Sequence, residues 1–361
     1  MSETPLLNIP SSNQSANQSN STVCPDLEEW WDIVYYIIPK YINTVCVIGL
    51  LGNVFVLFIY SLHKGRLKIA DIYLTNLAVA DLIFLMCLPF WAENINNEFD
   101  WPFGSFLCRS ISASLTLNMY TSIYLLVAVS ADRYLTFVHT LNHREIWSKT
   151  MTKGICLLIW FFCILLSIPA FTFRTVKYIP ELNISACVLD FPTSSWKTAE
   201  SLACNVVGFL LPSTAIIFFN FSTIRSLQKT AREQKELRAK GCKRHRSTKA
   251  TRLIFTVVLV FLFCWTPHHF FVFLDTLYRT EVIKGCFWGE LINFGEQFAY
   301  MLATTNSCVN PVIYVFVGKY FRQKASEVFS QFIPCGFPLR WVSFKEMSSN
   351  FNMFPVKSSL T

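Results

Sequence analysis

Seven runs, at 36–60, 70–90, 106–134, 152–173, 199–227, 251–277 and 291–317, are apolar almost throughout. About 20 such residues cross a hydrocarbon core of about 30 Å as a helix. Inside lipid every backbone donor and acceptor needs a partner within its own segment, which a helix supplies. A membrane barrel needs short alternating strands, and these runs do not alternate. The expected fold is an all-α membrane protein, a seven-transmembrane helix bundle. At 53% hydrophobic and 15% charged residues, the chain is too apolar for one soluble domain. The expected organisation is an N-terminal segment (1–35), the bundle (36–318), an amphipathic eighth helix (319–333) and a tail (334–361).

Charge sets the orientation. Asp26, Glu28, Glu29 and Asp32 precede the first run, whereas Lys64, Arg66 and Lys68 follow it at once. The positive-inside rule then places the N-terminus outside the cell and the basic loops around 144–153 and 225–252 inside. Most of the net charge of +8 is this asymmetry. The run KGCKRHRSTKATR therefore reads as a cytosolic face and not as a nucleic-acid patch. The first thirty residues have neither a basic start nor an apolar core, so the first span is expected to target a multi-pass plasma-membrane protein. Glycosylation sequons at Asn13, Asn17, Asn20 and Asn183 fall on the expected outer side.

Cys24, Cys108, Cys187 and Cys286 also map to that oxidising side, where four cysteines allow three connectivities. Cys335 follows the amphipathic stretch on the inner side and reads either as a palmitoylation site or as a free thiol. Inside the spans, Asp81 is an ionisable group in apolar surroundings, and such groups carry functional hypotheses. Asn53, Asn118, Ser122, Asn306 and Asn310 are expected to converge on it, either as a hydrogen-bond network or as oxygens for a small hard cation. Asp132, Arg133 and Tyr134 end the third run at the inner boundary, where pairing of the first two would hold the inner face shut. Pro267 in CWTP and Pro311 in NPVIY (to Tyr314) interrupt helical bonding and supply kinks in the sixth and seventh spans.

Asn53, Asp81, the DRY triplet, Trp160, Pro212, Trp265 with Pro267, and the NPxxY segment stand in the order and the spans of the rhodopsin-like (class A) G-protein-coupled receptors, which the chain resembles over nearly its whole length. The resemblance implies disulfides Cys108–Cys187 and Cys24–Cys286. It implies an allosteric sodium site at Asp81, Asn118, Ser122, Asn306 and Asn310, with no other metal or cofactor. It makes Trp265 the switch beneath the ligand, and Asp132, Arg133, Tyr134, Pro267, Pro311 and Tyr314 the parts that admit a G protein. Asn220 and Thr140 depart from the usual tyrosine and proline of that family. No enzyme constellation is present, the seventh span lacks a lysine for a retinal Schiff base, and no inverted repeat suggests a transporter.

The outer loops and helix tops are rich in acid, Asp275, Glu290 and Glu296 among them, and an acidic funnel concentrates cationic ligands. The stretches LPFWAENI, DWPFG, NVVGFLLP, FLDTLYR, KGCFWGEL and NPVIYVFVGKYFR are closely similar to the bradykinin (kinin) receptors, with features of both types. Type 1 prefers peptides lacking the C-terminal arginine and carries a lysine at the place of Thr116; type 2 prefers the intact peptide. What the resemblance implies is an extracellular basic kinin peptide held among Trp91, Thr116, Arg174, Trp265, Asp275, Asn293, Glu296 and Gln297. It further implies signalling through Gq to calcium release, Gi as a second partner, arrestin on the serine-bearing tail, and contact with membrane lipid. Asn293 stands where relatives carry an aspartate. A class A receptor for another small peptide, angiotensin-like or chemokine, is the alternative.

Overall fold

The computed structural model describes residues 28–138, 148–239 and 249–332. In chain order they form α1 (Glu28–Leu62), α2 (Ile69–Asn96), α3 (Gly104–Val138), α4 (Lys149–Thr172), and a hairpin of β1 (Arg174–Ile179) with β2 (Ile184–Leu189). Then comes α5, made of Ser194–Asn205 and Leu211–Ala239 joined by a π turn at Val206–Leu210, followed by α6 (Lys249–Arg279), α7 (Cys286–Phe316) and α8 (Lys319–Phe332). α1 to α6 are each long and apolar enough to cross a membrane, and α7 meets that test together with α8, which is bent 78° from it.

The surface explains why a membrane is needed. Leu51, Leu157, Leu158 and Phe263 are each about 70% exposed or close to it, all on the outward faces of spans. Exposed apolar area of this kind on three helices would aggregate in water and is satisfied in lipid. The polar groups are turned inward instead: Asn53, Asp81, Ser122 and Asp132 are fully buried. Small residues let the helices close on one another. A Cβ on Gly52 would sit 2.9 Å from Pro311, and one on Gly49 would meet Leu85 at 2.7 Å, so α1 approaches α7 and α2 at backbone range. Trp160 of α4 donates from Nε1 to Asn76 Oδ1 of α2 at 3.0 Å.

The spans outrun their apolar runs. α2 continues through Pro89 to Asn96, because a proline removes one helical bond without ending the segment. Ala92 to Asn96 are its last turn. The hairpin end of the bundle is stapled by the Cys108–Cys187 disulfide between α3 and β2. It is also seated on the α2–α3 loop, where Ser185 donates its amide to Asp100 Oδ1 and accepts the Trp101 amide, both at 2.8 Å. Trp101 is 3% exposed, lies edge-on to Phe103 at 5.1 Å, and belongs to one core cluster with Cys108 and Cys187.

Candidate functional site

At the hairpin end an open cavity lies among α2 to α7 and the hairpin, with about 890 Å³ of empty space when the solvent at its mouth is included. Helical period builds its walls. α3 contributes Ser112, Leu115, Thr116 and Met119; α5 contributes Lys197, Glu200, Ser201 and Cys204; α6 contributes Trp265, His268, Val272, Asp275 and Arg279. Spacings of three, four and seven put each set on one helix face. Phe84, Ala170, Arg174, Leu189 and Tyr300 complete the lining. Above Pro212 the π turn re-aims the upper part of α5. The Val207 carbonyl would need the amide of residue 212, which a proline lacks, and the Tyr124 hydroxyl donates to it instead at 2.9 Å.

The cavity carries a buried set of opposite charges. Asp275 pairs with Arg279 one turn on, and Arg279 Nη2 also donates to Ser201 Oγ at 3.1 Å. Glu296 of α7 is buried and lies in the field of Asp275, Arg279 and Lys197. Arg174 is 2% exposed, donates from Nη1 to the Cys187 carbonyl at 3.1 Å, and its own carbonyl accepts Arg109 Nε at 2.9 Å. Trp265 is buried and stacks on Phe261 at 5.9 Å, with the His268 ring edge-on at 5.8 Å. His269 shares a hydrogen with Asn205 Oδ1 at 3.1 Å and stacks on Phe209.

Of the residues expected around a ligand, Thr116, Arg174, Trp265 and Asp275 stand on the wall. Trp91 stands behind it, edge-on to Tyr300 at 6.2 Å. Asn293, Glu296 and Gln297 share one face of α7 beside the wall. Lys197, Ser201 and Tyr300 were not singled out in the sequence for the wall. The first two follow the same helical spacing as Glu200 and Cys204, but a fifth span read from 199 leaves Lys197 in a loop.

Beneath the cavity Asp81 accepts from Asn118 Nδ2 at 3.2 Å, Ser307 Oγ at 2.8 Å and Asn310 Nδ2 at 2.9 Å. Ser307 is a partner the sequence did not single out. Asn53 bonds the Gly49 and Ser307 carbonyls, both at 2.9 Å, and not the carboxylate. Ser122 and Asn306 are buried in α3 and α7 without hydrogen bonds of their side chains. Toward the α8 end, Asp132 and Arg133 form an ion pair, and Tyr134 lies against Phe218 and Phe219 at 5.9 and 5.4 Å. Asn220 donates to Ser130 Oγ at 3.1 Å, tying α5 to α3. Pro267 and Pro311 lie inside α6 and α7, and Tyr314 is fully buried against Phe321.

Asn183 is exposed in the hairpin turn, its amide oxygen accepting the Tyr178 hydroxyl at 2.7 Å. Cys286 is disulfide-bonded. Its expected partner Cys24, the sequons at Asn13, Asn17 and Asn20, and Thr140 and Cys335 lie outside the described residues.

The family described as 7 transmembrane receptor (rhodopsin family) matches residues 52–314. The chain is 45% identical to the B1 bradykinin receptor of Chlorocebus aethiops over 335 residues, covering 92% of this chain and 94% of that one. It is 45% identical to the B1 bradykinin receptor of Homo sapiens over 331 residues (91% and 93%). The same identity holds against that of Rattus norvegicus, again over 331 residues (88% and 97%).

Proposed function

Because the chain belongs to the rhodopsin family of seven-transmembrane receptors and, within it, to the bradykinin receptors, we propose that it is a G-protein-coupled receptor for a bradykinin-type peptide. It is a multi-pass plasma-membrane receptor and not an enzyme. The observation that carries the ligand reading is the open cavity with Asp275, Glu200 and Glu296 at or beside its wall and Trp265 within it. Anionic groups in a low-dielectric funnel hold a cationic peptide more strongly than they would in water.

In this reading the N-terminus and hairpin face outside and the α8 end faces the cytosol. The peptide binds among Thr116, Arg174, Trp265 and Asp275, with Asn293, Glu296 and Gln297 beside it and Trp91 supporting Tyr300. It shifts the receptor only by preferring one arrangement of α6 over another. Trp265 stands two residues before Pro267, where the missing helical bond lets the lower part of α6 swing. That swing separates α6 from the Asp132–Arg133 end of α3 and admits Gq, with Gi second. Calcium release follows, and arrestin binds the phosphorylated tail.

The Asp81 cluster fits a small hard cation. Asn118 and Asn310, which bond the Asp81 carboxylate, and Ser122 and Asn306, buried in the same spans α3 and α7, each keep a buried oxygen without a hydrogen-bond partner. Oxygen donors of this kind suit Na⁺, which Asp81, Asn118, Ser122, Asn306 and Asn310 would hold in the resting arrangement. Agonist affinity is expected to fall as NaCl replaces an organic-cation chloride, and to stay flat in Asp81→Asn. Equal salt dependence in both proteins refutes the site.

The function is tested by calcium release from cells expressing the receptor and given a kinin nonapeptide or its form lacking the C-terminal arginine. A response to either, absent from untransfected cells, is the expected result. Silence toward both at micromolar peptide, with the receptor at the surface, removes the kinin reading and leaves a receptor for another small peptide.

A further inference from the structure

The acidic wall of the cavity carries its own cations. Among the described residues the lining holds two carboxylates, Asp275 and Glu200, and three bases, Arg174, Lys197 and Arg279. Arg174 is turned to the Cys187 carbonyl at 3.1 Å. Arg279 is folded back along α6. Its guanidinium pairs with the Asp275 carboxylate, its Nε lies 3.4 Å from the Asp275 carbonyl, and its Nη2 donates to Ser201 Oγ of α5 at 3.1 Å. One guanidinium thus covers the acid that a cationic peptide would use and ties the outer end of α6 to α5.

Resting on the kinin reading, we infer that Arg279 is an internal competitor of the ligand: a cationic group of the peptide gains the Asp275 carboxylate only by displacing the Arg279 guanidinium, which thereby sets the affinity of the receptor for cationic peptides. Two guanidinium groups held on one buried carboxylate would stand a few ångströms apart, where like charges repel strongly in a low dielectric. Exchange is therefore favoured over sharing. The geometry allows it. Arg279 is the last residue of α6, and its side chain is 21% exposed against 12% for that of Asp275. The arginine has a way out to solvent, as long charged side chains at helix ends do, while the carboxylate stays in the wall.

The test is competition binding on membranes from expressing cells at one ionic strength. The probes are the intact kinin nonapeptide and analogues in which each arginine in turn is replaced by neutral citrulline. Arg279→Gln is expected to bind the intact peptide about 3- to 30-fold more tightly than wild type, because a charged hydrogen bond no longer has to be broken for the peptide to enter. The gain disappears when one particular arginine of the peptide is replaced, the one that meets Asp275, and persists for the rest. It is also severalfold larger with Asp275 present than in the Asp275→Asn background, where only repulsion remains to be relieved. An arginine that merely held the fold would give a loss of affinity when replaced, not a gain. Arg279→Gln that binds the intact peptide no better than wild type overturns the inference. So does a gain of equal size for every analogue, or one of equal size in the Asp275→Asn background, since general repulsion produces both. Failure of wild type to bind any of the peptides overturns the kinin reading itself.

Discussion

Asp275→Ala is expected to weaken kinin-peptide binding by about 30- to 4,000-fold at unchanged surface expression. Truncating one member of a buried, hydrogen-bonded charge cluster typically costs about 2–5 kcal/mol, most of it from the charge left behind. Here that charge is Arg279. In the wild type it is held by the Asp275 carboxylate and by Ser201 Oγ at 3.1 Å. Without the carboxylate, Arg279 keeps only a neutral partner, and the mouth of the cavity gains a net positive charge where a cationic peptide must enter. Asp275→Asn separates the two contributions, since it preserves volume and a hydrogen-bond acceptor while removing the anion. The two variants are expected to agree within a few fold if charge is the cause. Maximal calcium response should remain reachable at high peptide, because the lesion lies in binding and not in the α3 end of the switch. Affinity within threefold of wild type in both variants would take Asp275 out of the ligand site.

The bundle was legible because its signal is coarse: seven apolar runs and one lipid thickness admit few alternatives. Motif residues were legible for the same reason that they are buried polar groups in apolar helices, as Asp81, Asp132 and Asn310 are. What the sequence hid depends on rotation about a helix axis. Asn53 and Ser307 both lie near the Asp81 cluster, yet Ser307 reaches the carboxylate and Asn53 reaches backbone carbonyls. No apolar period distinguishes those outcomes. The π turn is the sharper case. It follows from Pro212 and the waiting hydroxyl of Tyr124, two residues in different spans, and it governs which side of the upper α5 helix meets the cavity. Helix ends were similarly obscured: α1 and α2 extend into polar sequence because tertiary contacts, not hydropathy, decide where helical bonding stops.

The attachment of α8 supplies a prediction with a defined order of effects. α8 leaves α7 at 78° and buries Phe321 against Tyr60 and Tyr314, with Phe329 stacked on Phe55. Among these apolar contacts Lys324 is only 6% exposed and forms an ion pair with Asp71 of α2, which is 7% exposed. The two partners are not equally supported. Asp71 stands in the first turn of α2, where a carboxylate meets the positive helix end, and its Oδ2 also accepts the Lys68 amide at 2.6 Å. Lys324 has, besides Asp71, the Tyr60 ring at 5.1 Å. Removing Asp71 therefore strands a buried ammonium, whereas removing Lys324 leaves a carboxylate with its backbone donor. Breaking a buried pair by deleting one partner costs about 3–5 kcal/mol, and replacing both with apolar groups is often neutral. Asp71→Ala is thus expected to lower the thermal unfolding midpoint of the solubilised receptor most, Lys324→Ala less, and Asp71→Ala with Lys324→Leu least of the three. Midpoints measured at one heating rate decide it. Equal losses in the two single variants, or a double variant that falls by their sum, would show that the pair sits in solvated surroundings and that α8 is held by Phe321 and Phe329 alone.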